Sequence, residues 1–326
     1  MNKKIIAIAI ATAMAAPVAM ADVKLSGRVG IDFTNKDTDG AANDVRDLKD
    51  NAASRFQFDG TSGDAYARIA YDARASKNLN QRDNYLGYKL GGGMSIQVGR
   101  MPTAAKNAEK DPYITTFLET RGSIANSYTK NIYGSNSFVD NLVQFAFKAG
   151  SAKVKVQYDP TDYAPTAGTK TNNAGHIAVG VSGKSGPVAW HASYNNGSAD
   201  GDNTAASYGS QSNIKLGGSM KFGTVRASLN YTSMDKDAAT AAEGTATDSI
   251  FVDANMAMGK GLSANIGFGT RSGDVAADDA DYIRLAVTKK LSKGAKVYGG
   301  YTSTDYDAAS SSADTSEVGI GMIVKF

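Results

Sequence analysis

Few residues of this chain could support the chemistry of an enzyme. The sequence contains no cysteine, which excludes disulfides and thiolate metal sites, and only two histidines, His176 and His191. It has no G-x-S-x-G motif, no phosphate-binding loop and no dinucleotide fingerprint between a strand and a helix. Two acidic runs, at 37–40 and 200–203, lack the full ligand set of a calcium loop. We therefore expect no enzyme activity, no cofactor and no metal site.

Charged residues form the pattern that could act on a passing solute. Three carboxylates lie in one long segment, about 101–138: Glu109, Asp111 and Glu119. Arginines stand at polar positions of alternating segments or at the base of this long segment: Arg28, Arg55, Arg68 and Arg100. Carboxylates that face guanidinium groups across a pore would orient polar solutes and set ion preference by the sign of their charge. Such a function requires elements that hold the two sets apart.

Alternation of apolar and polar residues runs through the chain from residue 22 to its end. Clear examples lie at 23–33, 153–158, 224–231, 262–268 and 318–326. A period of two indicates β-strands with one apolar and one polar face. We place sixteen such strands, the second of them at 51–60, and interpret 35–50 as a loop.

The connections between these strands alternate between tight turns and longer polar loops. Seven connections are short and rich in glycine and serine, such as those at 61–63, 91–92 and 259–261. All prolines fall outside strand interiors, where a proline would remove a ladder hydrogen bond. Short turns at one end and long loops at the other predict an all-β, up-and-down antiparallel meander with an even number of strands.

The apolar faces of these strands are thin and rich in alanine and glycine, which favours contact with lipid over packing against a second sheet. Aromatic residues stand at both ends of these faces, among them Phe33, Tyr158 and Tyr231 toward the long loops and Phe58 and Phe326 toward the short turns. Two aromatic belts around a band of smaller apolar residues are typical of a barrel that crosses a membrane. A soluble β-sandwich is the alternative, and it would need core faces richer in large aliphatic residues.

The first 21 residues have the pattern of a cleavable signal peptide. Lys3 and Lys4 precede an apolar stretch, and Ala19-Met20-Ala21 forms an A-x-A cleavage pattern. We therefore divide the chain into a signal peptide, 1–21, and a transmembrane β-barrel domain, 22–326. This second part is nearly neutral, so its net charge gives no reason to expect nucleic-acid binding. It contains no apolar run of about 18 residues, so no transmembrane helix is expected.

Three stretches of the chain resemble the Gram-negative general porins. They are the segment 21–33 (ADVKLSGRVGIDF), the hairpin 85–100 (YLGYKLGGGMSIQVGR) before the longest loop, and the terminal strand that ends on Phe326. The resemblance covers the whole chain after the signal peptide. It implies a trimer of water-filled barrels in the outer membrane, through which small hydrophilic solutes and ions diffuse passively. It also implies that the third loop, 101–138, folds into each lumen.

The same resemblance implies site residues and partners. In these porins loop carboxylates face a wall of arginines, so we expect the channel constriction at Arg28, Arg55, Arg68, Arg100, Glu109, Asp111 and Glu119. Phe326 is expected to be the assembly signal for the barrel-assembly machinery. Outer-membrane lipid and lipopolysaccharide are the expected surroundings, and a homotrimer is the expected assembly. The third loop also carries more basic than acidic residues, which argues against a strong cation preference: Lys106, Lys110, Arg121 and Lys130.

Other functions stay open from the sequence. An outer-membrane enzyme built on a barrel would use far fewer strands and would need a Ser/His or Asp/His set at the rim, whereas both histidines here lie on expected strands. A substrate-specific channel or an adhesin is a further alternative. Specific channels usually line the lumen with aromatic tracks or with dense charge of one sign. The polar faces here carry both signs, so we interpret the protein as a general channel.

Overall fold

The computed structural model describes residues 22–41, 44–50, 54–73, 79–108, 113, 116–119, 138–160, 174–198, 211–236, 246–274, 279–307 and 313–326. The expected signal peptide, the acidic run at 200–203, and the carboxylates Glu109 and Asp111 lie outside the described residues.

Strands make up almost all of the described chain. Seventeen strand segments are described: β1 (Asp22–Thr38), β2 (Val45–Asp50), β3 (Arg55–Ser62), β4 (Ala65–Asp72), β5 (Asn80–Gly91), β6 (Met94–Pro102), β7 (Phe138–Ala149), β8 (Ala152–Tyr158), β9 (Ala174–Ser185), β10 (Val188–Ser198), β11 (Gln211–Phe222), β12 (Val225–Lys236), β13 (Ala246–Gly259), β14 (Leu262–Gly273), β15 (Ala280–Lys290), β16 (Ala295–Tyr306) and β17 (Thr315–Lys325). One short helix, α1 (Ala104–Ala108), follows β6. No described helix is long and apolar enough to cross a membrane.

The strands form one closed antiparallel barrel. Each strand from β3 to β16 pairs with the next strand in the sequence, and β17 pairs with β1, from Arg28 opposite Lys325 to Thr38 opposite Thr315. Both β2 and β3 pair with β1, so these two segments together form one wall strand. The described barrel therefore has sixteen wall strands, which confirms the predicted even-numbered meander.

The second wall strand differs from its prediction. Its described segments are 45–50 and 55–62 rather than one strand at 51–60, and the register moves from Ile31 opposite Asp50 to Arg28 opposite Arg55. Beside this shift Ser54 donates its hydroxyl to the Gly30 carbonyl (3.2 Å) and accepts the Gly30 amide (3.1 Å). The prediction of a loop at 35–50 was wrong because the VRDLKD sequence of β2 is too charged to show an apolar face.

The two faces of the barrel wall have opposite character. On β1, Val29, Ile31 and Phe33 are each about half exposed, whereas Asp32 and Thr34 between them are buried. The same alternation recurs around the ring, because large apolar side chains are exposed on one face of almost every strand. In a closed barrel the buried polar face must point inward. The predicted apolar outer face and polar inner face are therefore confirmed.

Candidate channel site

Three of the predicted arginines lie next to one another on the inner face of adjacent strands. Arg28 of β1 is the register partner of Arg55 on β3. On β3 and β4, Asp59 is in turn opposite Arg68. The sequence positions these side chains through the two-residue alternation of three neighbouring strands, which points every second side chain into the lumen.

A fourth arginine, Arg82 on β5, joins this group. Its Nη1 atom lies 2.9 Å from Asp72 Oδ1, and both side chains are 16% exposed. Arg82 could not be predicted as a lumen residue, because alternation from Leu86 and Tyr88 would place it on the outer face. A bulge between β4 and β5 removes that parity, since Tyr71 pairs with Gln81 whereas Ala70 pairs with Asp83. We call Arg28, Arg55, Arg68 and Arg82 the arginine wall.

Carboxylates accompany the arginine wall. Arg68 Nε lies 2.6 Å from Asp59 Oδ1, in a pair that is about one-third exposed. The buried carboxylate of Asp83 interacts electrostatically with Arg55, Arg68 and Arg82. Charge-assisted hydrogen bonds of this kind fix a guanidinium in one orientation. The arginine wall is therefore a partly neutralised surface rather than a set of free cations.

One carboxylate of the third loop acts on this wall. Arg28 is repelled electrostatically by Arg55 and Arg82, and it is attracted by Glu119 and Asp72. Glu119 is thus the described loop carboxylate that the structure brings into electrostatic range of Arg28. The positions of Glu109 and Asp111 stay predictions.

Arg100 lies apart from the arginine wall. Its Nη1 atom pairs with Asp140 Oδ2 at 2.8 Å, and its Nε atom donates to the Gln81 carbonyl at 3.2 Å. It stands two residues after Val98, an exposed residue of the outer face, and opposite the exposed Asn84. A bulge on β7 at 140–141 gives Arg100 its partner. The inclusion of Arg100 among the constriction residues gains no support from these contacts.

The start of the third loop contacts strands that are not its neighbours in the sequence. The amide of Ala104, in α1, donates to Gln157 Oε1 on β8 at 2.8 Å. Gln157 Nε2 donates in turn to the Pro102 carbonyl at 3.0 Å. Gly180 on β9 allows this approach, because a Cβ atom there would lie 2.9 Å from the Ala104 side chain.

The middle of the third loop contacts a more distant part of the wall. Tyr113, which is 1% exposed, donates its hydroxyl to the Arg284 carbonyl on β15 at 3.2 Å and packs edge to face with Phe251 on β13. Phe117 stacks on Tyr298 of β16 with ring centroids 6.4 Å apart.

Leu118 completes this set of contacts on the neighbouring part of the wall. It is 1% exposed and occupies the space where Gly300 on β16 has no side chain. The wall residues that these loop side chains meet belong to the buried, inward face of their strands. We call Tyr113, Phe117 and Leu118 the loop anchor.

Phe326 closes the ring next to β1. Its carbonyl accepts the Gly27 amide at 2.9 Å, and its own amide donates to the Gly27 carbonyl at 3.1 Å. The phenyl ring of Phe326 lies over Gly27, where a Cβ atom would collide with it. Phe326 is 64% exposed. Among the described residues, no group of three His, Asp or Glu side chains is arranged to hold a metal ion.

Comparison with known proteins agrees with this architecture. A family model described as Gram-negative porin matches residues 7–309. No curated protein sequence matches the chain significantly.

Solved structures of low identity share the fold. An anion-selective porin from Comamonas acidovorans is 17% identical, with a TM-score of 0.75 over 94% of this chain and 100% of that chain. The outer membrane protein OmpT of Vibrio cholerae, in its trimer form, is 18% identical, with a TM-score of 0.66 over 94% and 100% of the two chains. Salmonella typhi OmpF in complex with daunomycin is 14% identical, with a TM-score of 0.70 over 93% and 97%.

Proposed function

The chain belongs to the Gram-negative porin family, and from that premise we propose that it is a general diffusion channel whose third loop narrows the lumen opposite the arginine wall. The family and the closed sixteen-strand barrel make it a channel of the outer membrane for the diffusion of small hydrophilic solutes. A barrel of this size leaves an aqueous passage that side chains alone do not fill. A further part of the chain must therefore narrow the passage if the channel is to select among solutes.

The loop anchor is the observation that carries this proposal. The third loop leaves β6 and returns to β7, yet Tyr113 and Phe117 contact β13, β15 and β16. Contacts with inward-facing residues so far around the ring support a path across the lumen. Glu119 follows the anchor directly and acts on Arg28. We therefore place the constriction between Arg28, Arg55, Arg68 and Arg82 on one side and Glu119, with Glu109 and Asp111, on the other.

A general channel fits the inner face better than a substrate-specific one. The inner face carries both signs of charge, and the arginine wall is paired with Asp59 and Asp72. A paired wall imposes a transverse field but little net charge, which supports weak selectivity among small polar solutes. A substrate-specific channel remains the alternative function.

The assembly is part of the proposal. We propose a homotrimer in outer-membrane lipid and lipopolysaccharide, and the trimer form of the Vibrio cholerae relative supports it. We also propose that residues 1–21 are removed as a signal peptide. The strand that ends on Phe326 would serve the barrel-assembly machinery as its signal. Deletion of Phe326 should lower the amount of heat-modifiable, protease-resistant barrel in the outer membrane, and unchanged amounts would count against this role.

Liposome swelling tests the proposed function. Purified protein in liposomes should admit small sugars at rates that fall with solute size and not with solute identity. Planar bilayers should show stable conductance steps with weak ion preference. Saturable uptake of one solute with exclusion of others of equal size would favour the substrate-specific channel, and absence of both swelling and conductance would contradict the channel.

A further inference from the structure

The lumen has a second charged region on the side of β8 to β12. These five strands contain seven lysine and arginine residues but only one carboxylate, Asp235. The lysines at inward-facing positions are Lys153, Lys155, Lys184, Lys215 and Lys221, which we call the lysine wall. Lys153 and Lys184 are exposed, and neither makes an ion pair with any residue in the described part of the chain.

The strand register aligns polar side chains beside these lysines. Lys153 on β8 is opposite Ser182 on β9, which is opposite His191 on β10. The row continues through Gly217 on β11 to Asn230 on β12. Gly217 lets the His191 ring and the Asn230 amide approach the middle of the row, because a Cβ atom there would collide with both. The row is therefore continuously polar from Lys153 to Asn230.

A cleft of about 420 Å³ lies at this row, within a few residues of the short-turn end of the barrel. Its charged and polar lining consists mainly of hydrogen-bond donors: Lys153, Lys184, Ser182, Ser219, His191 and Asn230. A carboxylate beside the cleft, Asp253, accepts a hydrogen bond from Ser228 and interacts electrostatically with Arg226. The cleft thus offers ammonium, hydroxyl, imidazole and amide groups, and no carboxylate of the described residues lines it.

We propose that this cleft is a binding site for small polyvalent oxyanions, such as those that carry phosphate or several carboxylate groups. The inference rests on the proposed channel function, because the cleft opens into the lumen, and it gives that channel a preferred class of solute. Oxyanions match a lining rich in hydrogen-bond donors, and charge-assisted hydrogen bonds are the strongest such contacts. Water in the lumen screens the lysines, with a Debye length of about 8 Å at physiological salt, so binding is weak and favours multiple charges.

Titration with inorganic pyrophosphate tests the site. Isothermal titration of the detergent-solubilised protein should show binding, and the same anion should reduce chloride conductance through bilayer-inserted channels in dilute KCl. The double variant Lys153→Gln/Lys184→Gln should raise the half-saturating concentration by about fivefold, which is the effect of removing two water-screened ammonium contacts. The variant Ser182→Ala should shift it in the same direction by less.

The control variant loses the same number of lysine charges as the test variant, but outside the cleft. Lys24→Gln/Lys290→Gln removes two lysines of the opposite wall near the same barrel end and should leave the binding curve unchanged. Citrate in place of pyrophosphate distinguishes carboxylate ligands from phosphate ligands. Binding of both anions supports a site for oxyanions in general, whereas binding of pyrophosphate alone restricts the site to phosphates. No binding to the parent protein, or equal binding to both double variants, would overturn the proposal. Conductance without pyrophosphate binding would leave the channel function intact, whereas binding without conductance would contradict the channel function alone.

Discussion

The arginine wall and the lysine wall line opposite sides of one lumen, yet they differ in how far their charges are paired. In the arginine wall, Arg68 and Arg82 are fixed by Asp59 and Asp72 at 2.6 and 2.9 Å. In the lysine wall, Lys153 and Lys184 are exposed and have no ion-pair partner among the described residues. A paired guanidinium keeps its orientation and contributes a local dipole, whereas a free ammonium moves and contributes net charge. The arginine wall can therefore support an electric field across a narrow gap, whereas the lysine wall can attract anions.

In the proposed channel, the third loop acts on one surface more than on the other. Glu119 lies in electrostatic range of Arg28, and the amide of Ala104 fastens the loop to β8. The lysine-wall cleft lies nearer the short turns, and no described residue of the loop lines it. Changes in the loop should therefore alter the effect of the arginines much more than that of the lysines.

Loss of the loop anchor should have the largest effect. The triple variant Tyr113→Ala/Phe117→Ala/Leu118→Ala removes one partly buried and two buried side chains, and truncation of each buried one costs about 2–5 kcal/mol. The loop should then leave the opposite wall, and single-channel conductance should rise several-fold. Tyr158→Ala, which removes a half-exposed aromatic side chain from the outer face, is the matched control. Unchanged conductance in the triple variant would mean that the anchor does not hold a constriction.

Neutralisation of the arginine wall should have the next largest effect. Two unit charges about 8 Å apart in water interact by about 0.5 kcal/mol, so Arg28→Gln/Arg55→Gln/Arg68→Gln should shift the permeability ratio toward cations by up to about tenfold in dilute salt. Reversal potentials in a KCl gradient measure this ratio. Arg100→Gln supplies the control, because this arginine pairs with Asp140 away from the wall. Equal shifts from Arg100→Gln would contradict the placement of the constriction.

Removal of the carboxylates that pair with Arg68 and Arg82 should make the arginine wall behave like the lysine wall. In Asp59→Asn/Asp72→Asn the guanidinium groups of Arg68 and Arg82 lose their ion pairs, and the net charge of the lumen becomes more positive. We expect a shift toward anions of about two- to threefold, again larger in dilute salt. Asp281→Asn, on the exposed side of β15, should have no such effect. An unaltered reversal potential in the double variant would show that pairing does not distinguish the two walls.

Single changes in the loop carboxylates should have the smallest effect. Glu119→Gln should shift the permeability ratio toward anions by less than about twofold, because one screened charge is removed. Neutralisation of Glu109 and Asp111 should act in the same direction, and Glu119→Asp should retain the parent value. These shifts should disappear in concentrated KCl. A shift toward cations in any of these variants would be incompatible with carboxylates at the constriction.

Much of the barrel could be predicted from the sequence because two-residue alternation is a local signal. The ring of sixteen wall strands, its outer apolar face and the inward arginines Arg28, Arg55 and Arg68 all follow from that period. The failures occur where alternation breaks. Bulges hide Arg82 and reposition Arg100, and the charged sequence of β2 resembles a loop.

The loop contacts could not be predicted at all, because they depend on residues far away in the sequence. Tyr113 and Arg284 are separated by 171 positions. The cleft beside His191 and Asn230 likewise depends on the register of five strands. Neither feature has a local period that the sequence could display.

A cysteine cross-link tests the position of the third loop most directly, since the chain has no cysteine of its own. Leu118→Cys and Ala286→Cys introduce two thiols into the buried cluster that Leu118 forms with Ala286 and Tyr282 on the wall of β15. Oxidation of the folded barrel should join them and leave single-channel conductance at the parent value. The pair Leu118→Cys and Val287→Cys, the latter on the exposed face of β15, should stay reduced. Failure of the first pair to cross-link in the folded protein would contradict a third loop that crosses the lumen.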